Sequence, residues 1–128
     1  MARVMREETD QALVGAWREL ADHHARVISA LERSLAVHHD LGVSEFDVLE
    51  RLASSEGDQC RMQELSSVTH LSQSALSRLV GRLEADGLVT RAMCSEDRRG
   101  IYAHITDAGR ARYEAARETH RAVLAEIL

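Results

Sequence analysis

The sequence predicts a mainly α fold with a small β-hairpin wing held between long helices. Two observations lead there directly. Apolar residues recur at steps of three and four over long stretches at both ends of the chain, the spacing of one face of a helix. Only one short region, 88 to 105, alternates on either side of a polar turn as paired strands do. The absence of proline from all 128 residues agrees with a helical chain.

Each element can be justified in order. The first helix is expected over about 9–39. Its stripe runs Leu13, Trp17, Leu20, His24, Val27, Leu31, Leu35, His38, widened by Ala16 and Ile28. So long a stripe needs more partner surface than one short chain supplies, which points to a helix from a second chain. Gly42 is expected to end it. Ser44 then reads as an N-cap with Asp47 three residues on, near the pattern of a capping box. The second helix turns Phe46, Leu49, Leu52 and Ala53 inward, and Ser54 to Asp58 is a loop. Cys60 to Met62 forms a short strand or leads straight into the next helix. That helix, 62 to 70, is expected to bury Met62, Leu65 and Val68. Ser72 caps a further helix over 73–86, which buries Leu76, Leu79, Val80 and Leu83 and stops at Gly87, a residue free to turn left-handed. Leu88 to Met93 reads as a strand, Ser95 to Gly100 as a polar turn, and Ile101 to Ile105 as the return strand. Thr106 caps the last helix, with Tyr113, Ala116, His120, Val123 and Ile127 along one side.

Composition bounds the function. At 45% apolar and 29% charged the chain is globular rather than disordered, and 1–128 fits a single domain. Two cysteines exclude a disulfide scaffold. No apolar run is long enough to span a bilayer, and the charged start MARVMREETD lacks the apolar region of a secretory signal. A cytoplasmic chain with reduced thiols and no membrane partner is therefore expected.

The net charge of −5 hides an asymmetry. All sixteen basic residues are arginine. Residues 1–60 carry a net −6, residues 61–112 a net +2, and residues 113–128 a net −1. The positive charge gathers around the helix pair and hairpin, and local sign governs approach to a polyanion. The outward positions of the 73–86 helix are Gln73, Ser74, Ser77, Arg78, Gly81 and Arg82, with no acid before Glu84. A helix in the major groove needs such a face: short side chains for close approach, donors for phosphate, and Arg or Gln to reach base edges. The hairpin tip carries Arg98 and Arg99 beside Glu96 and Asp97, and an arginine on a thin wing suits the negative potential of a minor groove.

With those residues in view, the chain resembles the MarR family of winged helix-turn-helix transcription regulators. The likeness rests on LSQSALSRLVGRLEADGLVTR, on the wing residues DRR, and on ITDAG opening the final helix, all within the stretch from about Leu65 to Gly109. The flanking long helices extend it over essentially the whole chain. The resemblance implies a homodimer joined through dimerisation helices 9–39 and 107–128, with 45–105 as the winged helix-turn-helix lobe. It implies recognition helix 73–86 in the major groove and wing 94–100 in the minor groove of a roughly palindromic double-stranded operator, the half-sites about 34 Å apart. By position it assigns DNA contact to Gln73, Ser74, Ser77, Arg78 and Arg82. On the wing, Asp97 would orient Arg99 into the minor groove while Arg98 meets phosphate. Relatives commonly continue past the position of Leu128. The apolar last turn, Val123, Leu124, Ile127 and Leu128, therefore leads us to expect either a trimmed chain or a smaller interface.

The resemblance also implies release from DNA by a small anionic or phenolic effector held between the dimer helices and the DNA-binding lobe. Trp17, His24 and His38 are the candidate contacts; the ordinary alternatives are that Trp17 fills an interface and the histidines are hydrogen-bonded core residues. A metal site is not expected. His23-His24 and His38-His39 are adjacent pairs, which point about 100° apart on a helix and cannot share one ion. Cys60 and Cys94 read as incidental thiols, although arginines near Cys94 would favour its thiolate. No cofactor is expected, and no paired nucleophile and base, phosphate-cradling glycine loop or metal-ligand spacing supports an enzyme. The competing reading is a helical protein-interaction module whose winged helix no longer binds DNA.

Overall fold

The computed structural model describes the backbone at every position except 95 and 96, and side chains everywhere except residues 94–99. Helix α1 spans Ala2–His39 and is followed by α2, Val43–Ser54. A single 3-10 turn at Glu56–Asp58 leads into strand β1, Gln59–Arg61. Helices α3, Met62–Thr69, and α4, Gln73–Ala85, form the helix pair. Strands β2, Val89–Cys94, and β3, Asp97–Ile105, form the hairpin, and α5 runs Asp107–Ile127.

Helix α1 begins seven residues before the expected position. Stepping back from Leu13 by three or four residues reaches only the polar Asp10 and Thr9, so the apolar stripe marks no earlier turn. Helix propensity of Ala, Arg, Met and Glu carries the first turns, with an exposed Arg3–Glu7 pair at 3.6 Å. Its other end is also corrected: Asp40, not Gly42, takes the left-handed conformation, at φ 53°. The N–H groups of Asp40 and Leu41 donate back to the carbonyls of Ala36 and Leu35, and Leu41 enters the core.

Gly42 is instead the N-cap of α2, which begins at Val43. The carboxylate of Glu45, three residues on, accepts from the Gly42 N–H at 3.0 Å. The expected Ser44 and Asp47 cap is therefore two positions out of register. Phe46, Leu49 and Leu52 are buried as expected, and so is Val48, which lies off that stripe.

Residues 59–61 resolve into a strand. Cys60 pairs with Ala103 and Arg61 with Tyr102, making a three-stranded antiparallel sheet in the order β1-β3-β2. The return strand starts at Asp97, four residues before Ile101, so residues 97–100 are strand where the 95–100 reading expected a turn. In α3 only Leu65 is fully buried; Val68 is 42% exposed, contrary to expectation, because eight residues present just two turns to the core. The core joins Leu31 and Leu35 of α1 to Phe46 and Leu49 of α2, Leu76, Val80 and Leu83 of α4, and Tyr113 and Ala116 of α5.

Helix α5 is seated by its first turn. Thr106 Oγ1 accepts from the Gly109 N–H at 3.0 Å and donates to the Gly87 carbonyl at 2.7 Å, and the Thr106 N–H donates to the Leu88 carbonyl. This one threonine caps α5 and ties it to the turn after α4. Arg110 reaches from the same turn to the Asp58 carboxylate.

Candidate nucleic-acid interface

The helix pair is set by its connection. His70 ends α3 in the left-handed region at φ 58°, and the Ser66 hydroxyl donates to the Leu71 carbonyl at 2.7 Å. Ser72 Oγ then accepts from the Ala75 N–H at 3.1 Å, capping α4 as expected. The four expected apolar residues of α4 are all buried. That fixes the rotation of the helix, so the opposite face looks outward. Gln73, Ser74, Ser77, Arg78 and Arg82 are all exposed on it. Neither Arg78 nor Arg82 forms an ion pair among the described residues. Both guanidinium groups are therefore available to an outside anion.

Gly87 follows α4 at φ 75°, a conformation that costs a residue with a Cβ. The chain reverses there into β2. From β2, Arg91 returns across the surface of α4. Its Nε donates to Glu84 Oε1 at 2.6 Å and its Nη1 to Ser77 Oγ at 3.1 Å. Sequence reading missed Arg91, since nothing in the spacing says that this strand residue lies over α4. It missed Arg61 for the same reason. The Arg61 Nε donates to Tyr102 Oη at 2.9 Å, linking β1 to β3 at the base of the hairpin. Asp97, Arg98 and Arg99 belong to β3 by backbone, but their side chains, like that of Cys94, and residues 95 and 96 altogether lie outside the described residues.

The candidate effector residues are brought together only in part. Trp17 and His24 line one depression of about 550 Å³ with Leu20, Val27 and Leu128. Trp17 and Leu20 are 66% and 65% exposed there. His38 lies fourteen residues beyond His24, about 21 Å along the helix, and does not share that depression. Neither His24 nor His38 is a core residue of this chain; both are exposed. The histidines that pack are others. His39 Nε2 lies 2.7 Å from Thr119 Oγ1, and the His120 ring stacks on Phe46 with centroids 4.3 Å apart. Burial, followed by the neighbouring Arg121 charge, lowers the pKa of His120, while Glu50 opposes the shift.

Cys60 is 3% exposed, with Sγ 3.2 Å from Glu64 Oε2. Burial first, and then the bond to Glu64, push its thiol pKa up, away from the reactive thiolate. Among the described residues no three His, Cys, Asp or Glu side chains are grouped as metal ligands. No helix among them is long and apolar enough to cross a membrane.

A capped helix pair followed by a hairpin, with an arginine-bearing helix face turned to solvent, defines a winged helix-turn-helix protein. Residues 39–100 match the MarR family. The chain is 38% identical over 78 residues to the HTH-type transcriptional regulator TtmR of Methylorubrum extorquens, an alignment covering 61% of this chain and 39% of that protein. It thus spans about two fifths of that relative's length. AbsC, a MarR family transcriptional regulator from Streptomyces coelicolor, superposes with a TM-score of 0.83 at 32% identity, covering 88% of this chain and 76% of AbsC. Sco3205, a MarR family regulator from the same organism whose structure is a complex with DNA, superposes at 0.84 with 28% identity, covering 88% and 71%. The chain belongs to the MarR family, and the relatives named here are transcriptional regulators.

Proposed function

We propose that this chain works as a homodimeric, sequence-specific repressor in the cytoplasm, released from its operator by a small anionic or phenolic effector. The observation that carries the reading is the outward face of α4, where Arg78 and Arg82 have no ion-pair partner among the described residues and stand beside Gln73 and Ser74. Recognition helix 73–86 enters the major groove, and Gln73, Ser74, Ser77, Arg78 and Arg82 meet bases and phosphates there. Wing 94–100 follows the minor groove, with Asp97 orienting Arg99 and Arg98 on phosphate. The exposed stripe of α1 around Leu13, Trp17 and Leu20, together with the end of α5, supports pairing with a second copy, since so large an apolar face on one helix is rarely left in water. The effector sits against Trp17 and His24; His38, further along α1, is a separate candidate contact.

The test is fluorescence anisotropy on promoter-region duplexes across a salt series, with Arg78→Ala and Arg99→Ala alongside. Binding on the order of nanomolar with a steep salt slope supports the reading. Loss of Arg78 is expected to lower the slope by about one unit if it meets phosphate, and to relax sequence preference if it meets a base. Weak binding indifferent to sequence, unchanged in both variants, would instead favour a protein-interaction module. Release by candidate acids and phenols, read on the same assay with Trp17→Ala and His24→Ala, tests the effector site.

A further inference from the structure

We infer that Arg91 is a positioning residue that locks the wing to the recognition helix, and that Glu84, Ser77 and Gly81 form its seat; the inference rests on the DNA-binding reading of α4. Three observations converge on one stripe of that helix. Residues 77, 81 and 84 are spaced by four and three, so they lie one above another. Arg91 Nε donates to Glu84 at the lower end and Nη1 to Ser77 at the upper end. Between them, a Cβ built on Gly81 would lie 3.5 Å from Arg91 Nη2, an ordinary van der Waals contact. The guanidinium thus lies along the helix where residue 81 has no side chain, and a long one there would lift it off.

The chemistry requires this residue type. A planar guanidinium presents several donors in a fixed fork and can satisfy a carboxylate and a hydroxyl at once, whereas a lysine ammonium is a point charge on a flexible stem. The pair is partly exposed, so its charges contribute little to global stability. Its effect is geometric. A helix in the major groove and a wing in the adjacent minor groove must engage the same duplex together, so their relative angle enters the specificity. Arg91 is the described side chain that joins β2 to α4 at this surface by hydrogen bonds at both ends of its fork. Glu84 also neutralises Arg91, so the clamp adds little net attraction for phosphate.

That last point makes the inference testable against simple electrostatics. Removing an acid beside a DNA-binding face should tighten binding to any duplex; removing half of a clamp should loosen binding to the correct one. The experiment uses the intact protein, a duplex enriched by the wild type from a randomised library, and a scrambled duplex of equal length. Glu84→Gln and Arg91→Lys are compared with wild type after their circular dichroism and melting curves are matched. The clamp predicts that both variants lose about tenfold in preference for the enriched duplex, with the salt slope unchanged. Tighter binding of Glu84→Gln to both duplexes by a common factor overturns it, as does an Arg91→Lys protein that matches wild type. A fall in salt slope of about one unit in the charge-neutral double variant Glu84→Gln with Arg91→Gln also overturns it, because that marks a direct phosphate contact by Arg91. If the wild type itself shows no preference, the DNA reading fails and the clamp's role with it. If only the variants fail to differ, the clamp alone is wrong.

Discussion

Gly109 lies directly beneath the carbonyl of Leu88: a Cβ built on the glycine would stand 2.1 Å from Leu88 O. The approach is that close because the same carbonyl accepts from the Thr106 N–H, which draws the first turn of α5 against the start of the wing. The obstruction is backbone, which cannot rotate aside as a side chain can. Gly109→Ala should therefore cost about 2–3 kcal/mol, read as a lower urea midpoint. A midpoint equal to wild type would show that α5 slides without penalty.

Ser72 offers a milder test at the other end of the lobe. Its hydroxyl accepts from the Ala75 N–H and occupies one of the orphan donors of α4. Ser72→Ala should cost about 1 kcal/mol and Ser72→Gly only a few tenths. Thermal melts of the two variants side by side check the order, and equal losses would mean that the cap bond contributes nothing.

His120 makes stability depend on pH. Burial, beside the Phe46 ring it stacks on, and after it the adjacent Arg121 charge hold its folded pKa below the ordinary value of 6.5. The unfolded chain therefore takes up the proton first as pH falls. Stability from this group is complete above about pH 6.5 and declines as pH drops through the lowered folded value. Asp47 works the other way in a more acidic window, because burial, and after it Glu50, raise its carboxyl above 3.8. Melting temperatures from about pH 8 down to 5.5 should fall in the wild type and flatten in His120→Gln. Parallel curves would assign the pH dependence to another group.

The exposed face of α1 should respond to charge. Trp17 and Leu20 stand open to water on a helix whose buried contacts in this chain are limited to Val27, Leu31 and Leu35. Trp17→Glu with Leu20→Glu should weaken self-association about a hundredfold or more, the loss of one well-buried anchor. Sedimentation velocity over a concentration series reads this directly. An unchanged monomer–dimer balance would place the interface elsewhere.

Much of the fold was legible before the structure. The α4 core stripe at Leu76, Leu79, Val80 and Leu83, its cap at Ser72, the turn at Gly87 and the cap at Thr106 are all local patterns. Each depends on residues within a few positions, and the periods of helix and strand carry that information. The misreadings were equally local in kind. At the start of α2 two caps competed, and Glu45 on Gly42 prevailed over Asp47 on Ser44. Val68 carried an apolar label that α3 was too short to use. The unburied start of α1 gave no periodic signal at all.

The sequence by itself determined the order of elements, the outward face of α4 with Arg78 and Arg82, and the family. These follow from short-range periodicity and from motifs written in consecutive residues. Only the tertiary structure decided that Arg91 lies across Ser77 and Glu84, that Gly109 passes under Leu88, and that His120 rather than His24 or His38 is stacked on Phe46. Arg91 and Gly109 meet segments 7 to 21 residues away, and His120 meets Phe46 across 74. Such contacts are set by how the buried faces pack in three dimensions, and no pattern along one dimension encodes which exposed arginine will find which carboxylate.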